Sequence, residues 1–536
     1  MKIQTFDIGT WLYPDSVITT ENNEVSLDSA KNDDACFQIL TDMKFPKGTE
    51  IKWTLTSEDE HVDVVVHELR PVLVKYNSGA VNYNATCWDN VKDFVVRQAP
   101  YEVYELTRPI DDGRLWGDTG ATAFMIRMNV GKEAKTGMHH CVLKFTIGEE
   151  STEVEIALNV HKVELMDSKD SPYPMGFWIY PKFVCWNHNV ERFTEEYYYY
   201  VEKVFQQMAN TRCNHIQIPT PIPVRDENGK VVDFDFTECD RYTEYALKYG
   251  FQYIQSGFIA KWAEWEDPQY YLKWFEDDEE QVQVESMEGY RQLCIYIQRT
   301  KEFIERHNIK EQYWQSFVDE PQLKNSVAYK ALNGTFRKMM PDMKLMDPIE
   351  SPHLVGSCDI WVIKQAVYEK YKEQYDTLRE MGEKFWVYTC GFPANKWMNH
   401  IIDLPISATR LITWQGVRHY LDGFNHYGYL EFNPGMDPMY DTDWGRIFRK
   451  EMRYFPPGNG NIIYTDRKVL YDSVRAHVHR IGAAEGELLL RLRDLDEKAC
   501  FDIIDSVCTT FEEYTSDSAL VESARKALLD KLDEFC

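Results

Sequence analysis

Residues 313–321 read Tyr-Trp-Gln-Ser-Phe-Val-Asp-Glu-Pro, a short apolar run followed by two adjacent carboxylates and a proline. A run of this length that stops at a breaker indicates a buried β-strand. Pro321 has no amide hydrogen to donate to a sheet, so the strand is predicted to end before it. Asp319 and Glu320 are therefore predicted to lie at the end of a strand, on the edge of a sheet.

The chain around this run alternates between short apolar segments and longer segments with helical spacing of apolar residues, such as 195–210, 284–307 and 367–381. Such alternation predicts parallel strands joined by crossover helices, and eight repeats of it predict a (β/α)8 barrel of the α/β class. The eight predicted strands are 175–180, 213–218, 251–255, 313–318, 344–346, 359–363, 385–389 and 423–432.

The regions before and after the predicted barrel have different patterns. Segments 141–147 and 152–160 alternate between apolar and polar residues on either side of a glycine turn, which predicts a β-hairpin within an N-terminal sandwich. The polar, breaker-rich segment 167–172 separates this sandwich from the barrel. We predict a β-sandwich over 1–165, the barrel over 172–440, and a closing loop with a mostly helical region over 441–536. Helices are predicted at 468–481, 485–493, 499–510 and 520–535.

Composition excludes several classes of function. The 536 residues carry a formal net charge of −28, from 59 Lys and Arg against 87 Asp and Glu, which argues against nucleic-acid and anionic-membrane partners. No apolar run is long enough to span a membrane, and the N-terminus lacks the pattern of a signal peptide. The 12 cysteines form no Cys-x-x-Cys motif, so we predict reduced cysteines and a cytoplasmic location. Both a monomer and a homo-oligomer stay open.

The predicted barrel gives the two carboxylates a functional position. Sites in such barrels gather at the C-terminal ends of the strands, where Asp319 and Glu320 end the fourth strand. Two neighbouring carboxylates also push their pKa values apart, so one can hold a proton while the other is ionised. Successive strand residues point to opposite sides, so both can reach one substrate only if the backbone turns between them. We predict such a turn between Asp319 and Glu320, because Pro321 follows them.

Aromatic and polar residues near other strand ends predict a pocket. Each alone is more often a packing residue, but together they form flat walls with a few hydrogen-bonding groups, which suits a sugar. Because no His-Glu-x-x-His, P-loop or Gly-x-Gly-x-x-Gly motif is present, we predict neither a metal nor another cofactor. The candidate pocket residues are Trp178, Tyr180, Asn214, Gln217, Tyr388, His426 and Tyr427.

Four segments in order resemble glycoside hydrolase family 123, the β-N-acetylgalactosaminidases. Residues 318–321, Val-Asp-Glu-Pro, resemble the acid pair of the family's fourth strand, and 385–390, Phe-Trp-Val-Tyr-Thr-Cys, resemble its aromatic seventh strand. Residues 404–414 with 423–432 resemble its last helix and strand. The glycine-rich 458–464, followed by 473–475 and 480–482, resembles its closing motif. The resemblance covers about residues 175–490, with a sandwich before the barrel as in the family.

The resemblance implies a retaining enzyme that acts on β-linked N-acetylhexosamine, with N-acetylgalactosamine (GalNAc) preferred, by substrate-assisted catalysis. In that mechanism the sugar's 2-acetamido oxygen attacks the anomeric carbon. Glu320 is then the general acid and later the base, and Asp319 orients the acetamido N–H. Tyr388 is implied as donor to the acetamido carbonyl. Trp178, Trp414, His426 and Tyr427 are implied to line the sugar site.

Two residues depart from the family pattern, and two alternatives stay open. The chain has Asn459 where the family usually has Asp, and Tyr427 where it usually has Trp. These departures concern the identity of the sugar more than the reaction. The first alternative is conventional double displacement, which needs a second carboxylate about 5–5.5 Å from Glu320, such as Glu431. The second is a sugar-binding barrel without catalysis.

Overall fold

Two β-sheets pack against each other in the N-terminal part of the chain. The computed structural model describes residues 1–78, 94–117, 120–264, 267–274, 281–394, 396–443, 445–448 and 451–536. The described N-terminal residues form β1 (Ile3–Asp7), β2 (Glu24–Lys31), β3 (Asp33–Thr41), β4 (Ile51–Thr56), β5 (Val62–Val74), β6 (Tyr101–Pro109), β7 (Ala123–Val130), β8 (Gly137–Ile147) and β9 (Glu150–Glu164).

The predicted sandwich is confirmed by the pairing of these strands. One sheet contains the order β1-β3-β7-β5-β6, and the other has the order β2-β9-β8-β4. The β8–β9 hairpin closes between Ile147 and Glu150, and Gly148 in its two-residue turn has a φ of 59°. A positive φ matches the turn types that fit the twist of a hairpin. Alternate residues such as Leu143 and Ile156 are buried between the sheets.

The middle of the described chain contains the strands β10 (Met175–Phe177), β11 (His215–Gln217), β12 (Ile222–Arg225), β13 (Val231–Asp235), β14 (Tyr253–Gln255), β15 (Ala260–Lys261), β16 (Tyr271–Leu272), β17 (Tyr313–Gln315), β18 (Lys344–Pro348), β19 (Ile360–Lys364), β20 (Lys384–Thr389) and β21 (Leu421–His426). Its helices are α1 (Pro181–His188), α2 (Glu195–Asn210), α3 (Thr237–Lys248), α4 (Met287–His307), α5 (Ser326–Met339), α6 (Gln365–Lys370), α7 (Lys372–Glu380) and α8 (Ser407–Arg418).

Eight of these strands form a closed parallel barrel, which confirms the predicted fold. Their order is β10-β11-β14-β17-β18-β19-β20-β21, and β21 pairs back to β10. Side chains alternate with the pleat: Trp314 and Trp386 meet inside the barrel, whereas Tyr313 and Phe385 face the surrounding helices. The strands begin near the predicted positions, but several are only three residues long.

Helix ends follow local capping chemistry. The Thr194 side chain accepts a hydrogen bond from the backbone of α2, and Ser286 does the same for α4. These N-caps satisfy amide groups that have no partner within the helix. Asn308 ends α4 in the left-handed conformation. The three barrel helices that the sequence predicts lie close to their predicted positions. The third is divided into α6 and α7.

The C-terminal part contains β22 (Gly445–Phe448), β23 (Glu451–Tyr454), β24 (Tyr464–Thr465), β25 (Leu470–Ser473), α9 (Val474–Leu495), α10 (Glu497–Asp505) and α11 (Ser518–Asp533). The predicted helix that begins at residue 468 is wrong over its first residues, because these form β25. Strand β25 pairs with β6 and so joins the N-terminal sheet, a contact that no local pattern reveals. The division of the chain into three parts stays a prediction.

Helix α9 replaces two predicted helices. The helix continues through its glycines, and at two of them other parts of the chain approach the helix closely. A Cβ on Gly482 would lie 3.0 Å from the carbonyl oxygen of Arg410 in α8, and one on Gly486 would lie 3.3 Å from the ring of Tyr173. Within the described part of the chain, no helix is both long and apolar enough to cross a membrane.

Candidate active site

The acid pair follows β17 after three intervening residues, at the C-terminal end of the barrel. After this strand the backbone amides of Phe317 and Val318 donate to one oxygen of Asp347, at 2.9 and 3.4 Å. The other oxygen of Asp347 accepts a hydrogen bond of 2.8 Å from Tyr329 in α5. Asp347 is completely buried, and burial raises its pKa well above the ordinary value. This carboxyl group therefore replaces part of the strand ladder and holds the backbone that leads to Asp319.

The backbone turns at Glu320, as the sequence predicts. Its φ is 46°, in the left-handed region that residues other than glycine rarely occupy. The following Pro321 further restricts the backbone of the residue before it, so this conformation is strained. Gln322 donates to the Glu320 carbonyl at 3.0 Å and supports the turn. The turn breaks the alternation by which adjacent strand residues point to opposite sides.

Two donors hold the Glu320 carboxylate. The hydroxyl of Tyr388, in β20, donates to Glu320 Oε1. The ammonium group of Lys364, at the end of β19, lies 2.7 Å from the same oxygen. Both interactions stabilise negative charge on Glu320. Tyr388 was expected to donate to a substrate carbonyl, but in this structure its hydroxyl is directed to Glu320.

Lys364 also links Glu320 to a third carboxylate. Its ammonium group forms an ion pair with Glu350, whose other oxygen accepts a hydrogen bond of 2.9 Å from Gln322. The Lys364 side chain is only 7% exposed. Burial acts to lower its pKa, but the charges of Glu320 and Glu350 outweigh burial and raise the pKa above the ordinary value. Lys364 is therefore a fixed positive charge between two glutamates.

Asp319 has a different environment from Glu320. Burial and the negative charge of Glu320 together raise the pKa of Asp319 to about 7, and the positive charge of Lys364 opposes the rise. Within the described residues, no side chain donates a hydrogen bond to its carboxylate. Asp319 can therefore gain or lose a proton near neutral pH, which suits general acid and base chemistry.

Aromatic residues from neighbouring strands form a wall at the same end of the barrel as the acid pair. Trp178 and Tyr180 follow β10, and Tyr427 follows β21. Strand β21 lies between β10 and β20, and β20 carries Tyr388. The rings of Tyr180 and Tyr427 are 6.3 Å apart, and Tyr427 is 6.0 Å from Phe455. The barrel thus brings together four of the predicted pocket residues, Trp178, Tyr180, Tyr388 and Tyr427. Gln217 ends the neighbouring strand β11.

Three other predicted pocket residues do not lie at this site. Trp414 is buried in α8, where its indole nitrogen donates to Glu485 of α9 at 2.8 Å. His426 points out of the barrel because strand residues alternate, and its ring nitrogens lie 2.6 Å from the Thr389 hydroxyl and 2.9 Å from the Asn459 carbonyl oxygen. Burial lowers the pKa of His426 to about 3.

Asn214 is the third correction, because it precedes β11 at the opposite end of the barrel. Its side-chain oxygen accepts a hydrogen bond of 2.9 Å from the amide of Met175. Its side-chain nitrogen donates to the carbonyls of Ser168 and Ser171, both at 3.2 Å. Asn214 therefore holds the segment that enters the barrel and does not face a substrate.

Sequence reasoning missed Lys364, Glu350 and Asp347. Lys364 follows a buried apolar strand in the same way as the acid pair does, so the same reasoning could have found it. Glu350 follows the fifth predicted strand closely, after Pro348. Asp347 also follows the fifth predicted strand, but its role could not be read from that position because the amides that it binds lie 29 and 30 residues earlier in the chain. Within the described residues, no group of three or more His, Cys, Asp or Glu side chains is arranged to hold a metal ion.

Comparison with known proteins identifies the family and a similar fold. Residues 178–492 match the model of the glycoside hydrolase 123 catalytic domain. The fold is similar to that of a family 123 glycoside hydrolase from Clostridium perfringens, with a TM-score of 0.74 and 12% identity over 99% of this chain and 98% of that chain. At this identity the similarity shows the fold alone.

Two other solved structures are less similar to the chain in fold. The β-glucuronidase of Ruminococcus gnavus gives a TM-score of 0.34 at 10% identity, over 81% of this chain and 68% of that chain. An endo-β-1,4-mannanase from Thermotoga petrophila gives a TM-score of 0.32 at 11% identity, over 60% of this chain and 78% of that chain. Both scores are too low to indicate a shared overall fold. No curated protein sequence matches the chain.

Proposed function

The chain belongs to glycoside hydrolase family 123, and we propose that it hydrolyses β-linked N-acetylhexosamine, GalNAc preferred, through the substrate's own 2-acetamido group. It is a glycoside hydrolase with a carbohydrate substrate. The observation that carries the finer proposal is the adjacent pair Asp319 and Glu320, in which the pKa of Asp319 is raised to about 7 and the backbone turns at Glu320. Adjacent carboxylates suit this mechanism because no enzyme nucleophile has to lie across the sugar ring.

In the first step the acetamido oxygen forms a bond to the anomeric carbon as the glycosidic bond breaks. The electron pair of that bond passes to the leaving oxygen, which takes a proton from Glu320. The acetamido N–H donates to Asp319, whose negative charge stabilises the positive charge that develops on the oxazolinium ring. In the second step Glu320 takes a proton from water as the water attacks the anomeric carbon. The ring opens, and the product keeps the configuration of the substrate.

The electrostatics of the free site support a transfer of the proton within the pair. Lys364 and Tyr388 stabilise negative charge on Glu320, while Asp319, with its raised pKa, is the better holder of the proton. A bound acetamido N–H would donate to Asp319 and favour its ionised form. The shared proton would then belong to Glu320, where the leaving group needs it. Substrate binding thus prepares the acid for sugars that carry the acetamido group.

A panel of aryl glycosides tests the proposal. The enzyme is expected to hydrolyse aryl β-N-acetylgalactosaminide much faster than aryl β-galactoside, because only the first carries the internal nucleophile. A thiazoline analogue of the oxazoline is expected to inhibit competitively. Equal rates on the two glycosides, without inhibition by the thiazoline, would contradict substrate assistance.

Conventional double displacement is the second candidate, because Glu431 lies against the same aromatic wall. Glu431 is 2% exposed and lines a small cavity together with Trp178 and Tyr180. As a nucleophile it would form a covalent glycosyl-enzyme with sugars that lack the acetamido group. Mass spectrometry after reaction with a 2-fluoro glycoside would detect that adduct on Glu431. The match to the catalytic-domain model removes the alternative of a sugar-binding barrel without catalysis. The cytoplasmic location and the oligomeric state stay predictions.

A further inference from the structure

Glu350 is an ionisable group beside the acid pair that neither step of the proposed reaction uses. It follows β18, the strand between β17 and β19, so it lies at the same end of the barrel as Glu320 and Lys364. One oxygen of the Glu350 carboxylate pairs with the ammonium group of Lys364. The other oxygen accepts a hydrogen bond of 2.9 Å from Gln322. Glu350 therefore contacts a group that holds Glu320.

The turn that carries the acid pair also fixes the position of Glu350. The side-chain nitrogen of Gln322 that donates to Glu350 donates to the Glu320 carbonyl at 3.0 Å as well. The backbone amide of Gln322 donates to the Asn325 side chain at 2.7 Å. Because these bonds do not involve the Glu320 carboxylate, Glu350 keeps its place whether or not Glu320 is charged.

Lys364 is shared between two glutamates, and only one of them changes its charge during the reaction. Its side chain is 7% exposed, so water can offset little of the ammonium charge. Glu320 and Glu350 are its two ion-pair partners among the described residues. When Glu320 takes up the proton for the leaving group, Glu350 is the partner that remains. Without Glu350, that protonation would leave a buried ammonium group unpaired, which is unfavourable.

The other titratable groups that face Lys364 are Tyr388 of β20 and Cys390, which follows β20. Burial raises the pKa of Tyr388 well above its ordinary value and raises the pKa of the Cys390 thiol to about 12. Both groups are therefore uncharged near neutral pH. Neither of them can replace Glu350 as a counter-charge.

Glu350 also acts on Asp319 through its charge. Burial and the charge of Glu320 raise the pKa of Asp319 most, and Glu350 adds to the rise. Burial also raises the pKa of Asp347 well above its ordinary value, so that group is neutral near neutral pH. Glu350 therefore helps to keep a proton on the acid pair. The titratable groups that face Asp319 are Glu320, Lys364, Glu350, Lys273 and Asp347.

We propose that Glu350 is a positioning residue for the acid step, in which it holds Lys364 as a shared counter-charge so that Glu320 can be protonated. The inference rests on the proposed function. Glu350 acts through Lys364 and exchanges no proton itself. The proton passes from Asp319 to Glu320 and then to the leaving oxygen, which keeps the electron pair of the broken bond. The later base step uses ionised Glu320 and does not need this support.

The test compares two substrates in Glu350→Gln, which keeps the shape of the side chain and removes its charge. One is a dinitrophenyl β-N-acetylgalactosaminide, whose leaving group departs without a proton. The other is an alkyl glycoside of the same sugar, whose leaving group needs one. We expect kcat/KM to fall roughly tenfold for the alkyl glycoside and less than about twofold for the dinitrophenyl glycoside. The ratio of the two values does not depend on the fraction of folded enzyme.

The pH profile provides a second measurement. Because the charge of Glu350 raises the pKa of Asp319, Glu350→Gln should lower that pKa. The basic limb of kcat/KM for the alkyl glycoside should then move to lower pH by roughly half a unit. Lys364→Met should move the same limb in the opposite direction. A merely structural role for Glu350 would not produce opposite shifts.

Glu383→Gln is the matched control, because Glu383 precedes β20 at the opposite end of the barrel, where it accepts a hydrogen bond of 3.0 Å from Trp361. It removes the same charge and should change neither the ratio nor the pH limb. In Glu350→Gln, an equal loss on both substrates, no loss on the alkyl glycoside, or a shift of the limb to higher pH overturns the role of Glu350.

The same experiment separates this inference from the proposed function. If the wild type hydrolyses both glycosides while Glu350→Gln behaves as the wild type does, the proposed function stands and the role of Glu350 fails. If the wild type hydrolyses no 2-acetamido glycoside, the proposed function fails and the role of Glu350 fails with it.

Discussion

Glu485, in the core between the sandwich and the barrel, and Asp319, at the mouth of the barrel, are both shielded carboxylates with opposite properties. Glu485 is 0% exposed and accepts hydrogen bonds from Arg410, Arg525 and Trp414. Burial acts to raise its pKa, but the two guanidinium groups outweigh burial and hold the pKa below the ordinary value. For Asp319, burial and the nearby Glu320 raise the pKa to about 7.

The difference lies in the number of compensating partners. Arg525 also pairs with Asp33 of β3, so the charges around Glu485 join α8, α9, α11 and the sandwich. A buried charge with a full set of donors is fixed and holds elements together. A carboxylate with too few donors holds a proton instead and can exchange it near neutral pH. The first arrangement suits structure, and the second suits proton transfer.

The largest expected effect is on activity, in Glu320→Gln. The amide keeps the shape of the side chain but cannot donate or accept the catalytic proton, so kcat should fall about 10²–10⁴-fold. Because the change leaves the Glu485 cluster intact, the thermal unfolding temperature should stay close to that of the wild type. Steady-state kinetics on an aryl β-N-acetylgalactosaminide check this result. Activity within a few fold of the wild type would refute the role of Glu320.

The converse change, Glu485→Ala, should act on stability. It leaves two buried guanidinium groups without their shared carboxylate and should lower the free energy of unfolding by about 3–5 kcal/mol. The kcat of the folded enzyme should not change. The matched control is Glu522→Ala, since Glu522 also pairs with Arg410 but is 35% exposed. That control should cost at most about 1 kcal/mol in denaturant titrations. Equal losses in both variants would contradict a structural role for complete burial.

Asp319→Asn should slow the step in which the oxazolinium forms. The neutral amide cannot stabilise the developing positive charge, so kcat on 2-acetamido substrates should fall about 10²–10³-fold. Single-turnover kinetics measure this step directly. Any residual hydrolysis of a glycoside that lacks the acetamido group should change little, because Asp319 has no partner on that sugar. The same loss on both kinds of substrate would instead indicate a general effect on the site.

The smallest effect concerns the pH profile of Lys364→Met. Burial and Glu320 raise the pKa of Asp319, and the positive charge of Lys364 opposes them, so its removal should raise that pKa further. In the free enzyme Asp319 holds the proton that the leaving group later takes, so the basic limb of kcat/KM reports the pKa of Asp319. That limb should therefore move to higher pH by about one unit.

Lys273→Met provides a graded comparison for this shift. Lys273 also lowers the pKa of Asp319, but by less than Lys364 does. Its removal should move the basic limb in the same direction by a smaller amount. A shift to lower pH in either variant, measured over the full pH range, would show that Asp319 does not set this limb.

The sequence by itself determined the barrel and the position of the acid pair. Short apolar runs and amphipathic helices are local patterns, because burial on one face of a strand or helix repeats every two or 3.6 residues. The position of the acid pair after the fourth strand was readable for the same reason, although the paired strand ends at Gln315 and not just before Pro321 as predicted. The turn at Glu320 followed from the need for adjacent strand residues to face one substrate.

Only the tertiary structure decided which distant groups meet. Lys364 reaches Glu320 because closure of the barrel brings the ends of separate strands to one mouth. His426 satisfied the same compositional rule as Tyr427, and the resemblance implied Trp414, but α9 and the closing loop cover both residues. Strand β25 joins the N-terminal sheet at β6, 365 residues away by the pairing of Asp472 with Thr107. Such contacts depend on how whole elements pack against each other. The local spacing of apolar residues in the sequence does not predict that packing.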